Sequence, residues 1–218
     1  MSSNPLTDRN LPSPLLLGSA SFTRKLILGE MGVPYVKYVR PIDEKGLGDR
    51  SKDAPADLVL LLANAKMQEL VKGLETADEI DASQDCLILT GDQVVTCDGV
   101  ILEKPESIEE ARQFVSRYPT HPPSTVGSCV LYHHPSGKTV SGVDTATVHF
   151  RSTLTADLVD RLVELDEPIL SCAGGLMVEH PLTKEHIERI DGTEDSVMGL
   201  SKDLVLRLLD EMKEKLGK

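Results

Sequence analysis

Ser19, Ser21, Arg24 and Lys25 crowd into "GSASFTRK", where an apolar run ends at Gly18 and a new apolar pattern begins. A strand that passes into a helix through glycine and small hydroxyl residues aims unpaired N–H groups and the positive end of the helix dipole at one spot. Cations at a helix start oppose that dipole unless an anion lies nearby, and an arginine can fork onto phosphate oxygens. Read alone, Ser21 serves equally as an N-cap and Arg24 as a solvated side chain.

Lys66 is the second unusual residue. Leu58, Leu62, Lys66 and Leu70 form one i, i+4 row, so the lysine interrupts an apolar stripe. It must snorkel, pair or meet a ligand. Asp92 follows the apolar "LILTG" directly, and ligands of α/β proteins gather beyond strand ends. An aspartate there holds a divalent cation, activates water or starts an Asx turn. Lys104, extended before Pro105, points back toward the same place or out to solvent. Asp43 and Glu44 sit on a polar loop, where adjacent acids are either solvated or complete an oxygen-rich Mg²⁺ or Mn²⁺ site facing Asp92. The histidines carry weaker signals. His133-His134 flank a turn, His180 and His186 lack zinc-helix spacing, and all four read as surface residues. There is no P-loop, Rossmann fingerprint or nucleophile elbow. Cations at a helix start and in an apolar stripe, with acids after two separate strands, suit a metal-chelated polyphosphate.

The elements that must position these groups are legible from period and punctuation. The sequence predicts a strand over Leu15–Leu17, a helix from Phe22 to Met31 and a strand from Tyr35 to Val39, a β-α-β opening. A polar loop leads to a helix from Pro55 to Lys72, closed by Gly73, and a polar turn region follows. A buried strand then runs to Leu89, breaks at Gly91-Asp92 and continues as a hairpin turning at Asp98-Gly99. A helix from Ser107 to Tyr118 opens with the capping box Ser107-x-x-Glu110. A second hairpin spans Val126 to Phe150, and then come a helix from Thr155 to Leu165, a strand from Ile169 to Cys172, an irregular Gly174-Gly175 segment and an amphipathic helix from Ser201. Helices interleaved with hairpins and isolated strands predict a mixed-sheet α/β fold. The expected organisation is a flexible leader over residues 1–13 and a single domain over 14–218.

Composition narrows the partners. The 218 residues carry a formal charge of −12, with 23 basic against 35 acidic residues and only 3% aromatics. That excludes the basic stripe and stacking platforms of a nucleic-acid groove. No apolar run approaches the about 20 residues that cross a bilayer, and no signal-like leader is seen, so a cytoplasmic protein without membrane contact is expected. Cys86, Cys97, Cys129 and Cys172 are too widely spaced for a C-x-x-C knuckle and read as reduced, mostly packed thiols.

The motifs in this order resemble the Maf nucleotide pyrophosphatases, relatives of inosine triphosphate pyrophosphatase. The resemblance runs from Leu15 to about Leu209 through "GSASFTR", "PIDE", "ANAKMQEL", "TGDQVV" and "LEKP". It implies an elongated mixed sheet with flanking helices and two lobes around a central cleft, where a nucleoside triphosphate is hydrolysed to monophosphate and pyrophosphate. By the same resemblance Ser19, Ser21, Arg24 and Lys25 hold phosphates, and Lys66 and Lys104 neutralise developing charge. Glu44 and Asp92 bind Mg²⁺ or Mn²⁺, with Asp92 also the general base. Gly91-Asp92-Gln93 and "SCAGG" at 171–175 look like the branch acting on 7-methyl-GTP, with Gln93 and Glu179 facing the base. The alternatives are the same reaction on dTTP, UTP or CTP, and a noncatalytic nucleotide-binding regulator. Loss of Asp92, Lys66 or Lys104 would mark a regulator, and all three are present. Two departures stand out: Phe22-Thr23 replaces a common Pro-Arg, and "LMVEHPLTKEHIERIDG" replaces a Gly-aromatic-Gly-Ile turn. The resemblance also implies a homodimer.

Overall fold

The computed structural model describes residues 4–74 and 85–218. The polar turn region expected after Gly73 therefore lies, over 75–84, outside the described residues. The strands are β1 (Leu15–Leu17), β2 (Tyr35–Lys37), β3 (Cys86–Cys97), β4 (Val100–Leu102), β5 (Ser124–His134), β6 (Lys138–Phe150) and β7 (Ile187–Asp191). The helices are α1 (Phe22–Glu30), α2 (Pro55–Leu74), α3 (Ile108–Arg117), α4 (Asp157–Glu164), α5 (Pro181–Lys184), α6 (Glu194–Met198) and α7 (Lys202–Leu216). Among the described residues the sheet has seven strands, in the order β2-β1-β3-β5-β6-β7, with β4 pairing β3 beyond that path. β1 runs parallel to β2 and β3, whereas the β3-β5-β6-β7 and β3-β4 pairings are antiparallel. This is the expected mixed α/β sheet flanked by helices.

The long strands β3, β5 and β6 serve two apolar cores. Near one end Leu87, Leu89, Leu131 and Val140 pack with α1 and α7; near the other Val95, Cys97, Val148 and Phe150 pack with α3 and α4. The second face of β3 packs on α2 through Ile88, Val94, Leu62 and Leu70. Two buried hydroxyls fix α2 against the sheet: Thr90 Oγ1 donates to the Ala63 carbonyl at 2.9 Å, and Ser128 Oγ to that of Val59 at 2.7 Å. Because buried polar groups need partners, these bonds set the rotation of α2 as well as its distance.

Several expectations are corrected. β3 does not break at Gly91-Asp92 but pairs with β5 without interruption from Cys86 to Thr96. Gly91 is there for close approach: a Cβ on it would lie 2.5 Å from the Ser128 carbonyl oxygen. Gly73 does not close α2, which runs to Leu74; a Cβ at Gly73 would meet the Arg40 side chain at 2.0 Å. Ile169–Ser171 is a 3₁₀ turn, because its amides bond locally to Glu167 and Pro168 and not to a neighbouring strand. The Ser107 hydroxyl caps α3, but Glu110 returns to the Glu106 amide, one residue before the expected box. His133 is buried, its ring nitrogens facing Ser136 Oγ at 2.8 Å and Asp85 Oδ1 at 2.5 Å. A charged ring-edge partner makes that burial tolerable.

In place of a flexible leader, residues 4–13 pack against α7. Leu6 and Leu11 join its core, and Arg9 forks onto both Asp210 carboxylate oxygens at 2.7 and 3.0 Å. Truncating Leu6, whose side chain is fully buried, to alanine is expected to lower stability by about 2–5 kcal/mol in denaturant unfolding. A change within about 0.5 kcal/mol would show that this segment does not share the core.

Candidate functional site

A strand alternates its faces, and β3 uses that alternation to distribute the site. Even positions meet α2: Thr90 bonds Ala63, and Asp92 meets Lys66, three residues further along the helix. Odd positions meet the other layer, so Gly91 lies under Arg24 and Gln93 reaches α6. Around these residues opens a cleft of about 1100 Å³.

At its centre Lys66 Nζ lies 2.6 Å from Asp92 Oδ1 and 3.1 Å from Glu44 Oε1. The Lys66 and Asp92 side chains keep only 17% and 12% of their exposure, so the interruption in the apolar stripe is a shielded ion pair, not a snorkelling lysine. Glu44 approaches from the loop between β2 and α2 and is half exposed. Three side chains from three distant segments thus meet at one point. Among the described residues, no group of three His, Cys, Asp or Glu forms a metal cage. Two carboxylates with room for ligand oxygens nonetheless fit Mg²⁺ or Mn²⁺, which commonly take few protein oxygens and complete their shell from phosphate and water.

The start of α1 forms one wall. Ser21 is the N-cap, its hydroxyl accepting from the Arg24 amide at 3.4 Å and bonding Thr23 Oγ1 at 2.9 Å. Buried Ser19 accepts from the Ser21 amide at 3.2 Å. Both serines line the cleft, and so does Thr23, which sequence reasoning passed over. Arg24 faces the same space, but its guanidinium braces the backbone: Nη1 donates to the Gly91 carbonyl at 2.8 Å and Nε to that of Gly199 at 2.9 Å. Lys25 is not in the cleft. One residue on from Arg24 is a rotation of about 100° around the helix, which turns Lys25 outward to a shallow depression beside Phe22, Glu30 and Tyr35.

The opposite wall is largely apolar. Val95, Val148, Leu176 and Val178 line it with Tyr118 and Phe150, whose rings stack at 5.8 Å with 15° between planes. The Tyr118 hydroxyl donates to the Gly174 carbonyl at 2.6 Å, and burial pushes it well above the ordinary tyrosine value. Gly174 and Gly175 both have left-handed backbones (φ 74° and 70°), and a Cβ on Gly174 would lie 2.9 Å from that hydroxyl. Lys104 and Glu179 border this end along with Cys172. Lys104 is exposed, and no ion pair engages it among the described residues. Gln93 also lines the cleft, although its amide is committed to the Val197 carbonyl at 2.9 Å.

A sequence profile of Maf-like proteins matches residues 14–212. The chain belongs to the Maf family. It is 35% identical over 202 residues to a 7-methyl-GTP pyrophosphatase of Dictyostelium discoideum, covering 92% of this chain and 98% of that protein. It is 32% identical to a dTTP/UTP pyrophosphatase of Salinibacter ruber, with 90% and 89% covered. A 7-methyl-GTP pyrophosphatase of Idiomarina loihiensis is also 32% identical, over 76% of this chain and 78% of its own.

In this Maf chain the segment that departs from the family turn folds as α5 and β7, with α6 directly after it, and the sequence pattern announced none of the three. β7 has an "IERID" composition with only two apolar positions, and a register shift at His149/Phe150 offsets its pairing with β6. Arg50 was also missed: it lines the cleft and binds the Glu44 and Leu47 carbonyls while pairing with Glu103. Its signal lay in spacing from Glu44 along an irregular loop, where no period assigns partners.

Cys172 offers a probe of the cleft. Burial, then the negative charge of Glu179, push its thiol up to about 11 against the weaker opposing pull of Lys104. The thiolate is the reactive form, so alkylation near pH 8 should be at least tenfold slower than for a free cysteine and should still be climbing at pH 10. Mass spectrometry of the alkylated peptide measures this. A plateau near pH 9 would place Cys172 in a solvated setting instead.

Proposed function

We propose that the chain hydrolyses a nucleoside triphosphate to the monophosphate and pyrophosphate, with 7-methyl-GTP as substrate. One observation carries the reaction: an ammonium held between two carboxylates, in a cleft with a hydroxyl-lined helix start on one wall and an apolar surface on the other. Relatives matched over most of their own length and named as nucleotide pyrophosphatases support it, and the Dictyostelium protein together with Gly91-Asp92-Gln93 and "SCAGG" supports the methylated purine.

The triphosphate tail would lie along Ser19, Ser21 and Thr23, where hydroxyls and the positive helix end favour anions. The base would occupy the apolar wall beside Glu179, whose carboxylate suits the cationic ring of 7-methylguanine. Asp92 takes the proton from a water that attacks phosphorus, the bridging P–O bond breaks, and pyrophosphate leaves. Lys66, positioned before the reaction, offsets charge on that leaving group, and Lys104 adds a second cation free to follow it. Glu44 and Asp92 would hold Mg²⁺ or Mn²⁺, which supplies charge neutralisation of the phosphate oxygens when bound.

The test is a panel of canonical and methylated triphosphates with Mg²⁺ or Mn²⁺, scored for pyrophosphate and monophosphate. Stoichiometric pyrophosphate, fastest from 7-methyl-GTP, is expected. Turnover confined to dTTP or UTP would overturn the base assignment, and release of orthophosphate alone would overturn the reaction. Asp92→Asn should lower kcat at least about 100-fold while nucleotide affinity changes little. Unchanged turnover would remove Asp92 from the proton transfer.

A further inference from the structure

We propose that Arg50 is a positioning residue that fixes Glu44 opposite Asp92, acting through the backbone of the acidic loop. This rests on the role given to Glu44 above. Residues 38–54 contain no regular element and are mostly solvent-facing, yet Glu44 must keep a carboxylate oxygen 3.1 Å from Lys66 Nζ. A loop without a ladder holds such a position only if its carbonyls are captured.

Arg50 supplies that capture. Its Nη2 donates to the Glu44 carbonyl at 2.9 Å and its Nη1 to the Leu47 carbonyl, so one planar group spans the turn that presents Glu44. Its Nε faces Glu103 Oε1 at 3.3 Å, tying the loop to the segment that carries Lys104. The chain is bent back to allow this. Gly48 has φ of 74°, and a Cβ there would lie 2.5 Å from Leu58 Cδ1, so the turn is seated on the first turn of α2. Asp53 then accepts from the Asp49 amide at 2.7 Å, and Asp49 from the Ser51 amide at 3.0 Å, which orients the residue between them. An exposed ion pair contributes little by itself, so the weight falls on the two carbonyl bonds, whose fork geometry a lysine cannot reproduce.

Two measurements test this. In hydrogen exchange on the nucleotide-free protein, Arg50→Ala should speed exchange across residues 42–50 and leave β3 unchanged; equal exchange in that loop would overturn the proposal. This arm needs no substrate, so it is decided whether or not the proposed reaction is correct. In turnover, Arg50→Ala should lower kcat about 10–100-fold, a loss Arg50→Lys does not restore. In a Glu44→Gln background the same change should cost less than about twofold, because the two act through one carboxylate. A full, multiplicative loss in that background would show that Arg50 acts elsewhere.

Discussion

A lysine ammonium on a leucine-rich helix face, shielded from water, can exist only if carboxylates meet it, and here two do, from β3 and from the loop before α2. That requirement links the local chemistry to the whole fold. Asp92 reaches Lys66 because α2 lies flat on the even face of β3, held by Thr90 and Ser128. Glu44 reaches it because its loop is folded back on α2. Loss of Asp92 would leave the shielded ammonium only the half-exposed Glu44 as a partner, so the arrangement depends most on Asp92. The same convergence of opposite charges fits the binding of a polyanion, whose oxygens can take over the contacts that each carboxylate now makes.

The second layer of β3 frames the wall formed by the start of α1. Arg24 joins α1, the Gly91 carbonyl and the Gly199 carbonyl, while Gln93 holds α6. The start of α1, the floor strand and the segment entering α7 are therefore one braced unit. Gly91 permits it by bringing β3 and β5 close where a side chain would collide with the Ser128 carbonyl. Preorganisation of this kind matters for phosphoryl transfer, in which the protein contributes mainly position and charge.

Much of this was readable in the amino-acid order. Lys66 announced itself by breaking an i, i+4 leucine row, and Arg24 by placing a cation at a helix start; both violate a local rule unless something else is near. Long periodic elements such as α2, α7 and the β5-β6 hairpin emerged within a few residues of their bounds. What failed did so for physical reasons. Gly91 and Gly73 look like punctuation, yet each marks a close approach that only the folded chain reveals. Lys25 and Arg24 are adjacent in sequence but point to different surfaces. β7 and Arg50 depend on partners far away or on irregular backbone, and neither leaves a period. Leu6 and Leu11 are too few to form a pattern, although both are buried.

The claim under all of this is that Lys66 and Asp92 form a shielded, mutually dependent pair. A double-mutant cycle measures it directly: unfolding free energies of the wild type, Lys66→Met, Asp92→Asn and the double variant. The account expects the double variant to be more stable than the two single losses sum to, with a coupling of about 0.5–3 kcal/mol. Losses that add to within about 0.3 kcal/mol would contradict it, since two groups that do not meet have no energy to share.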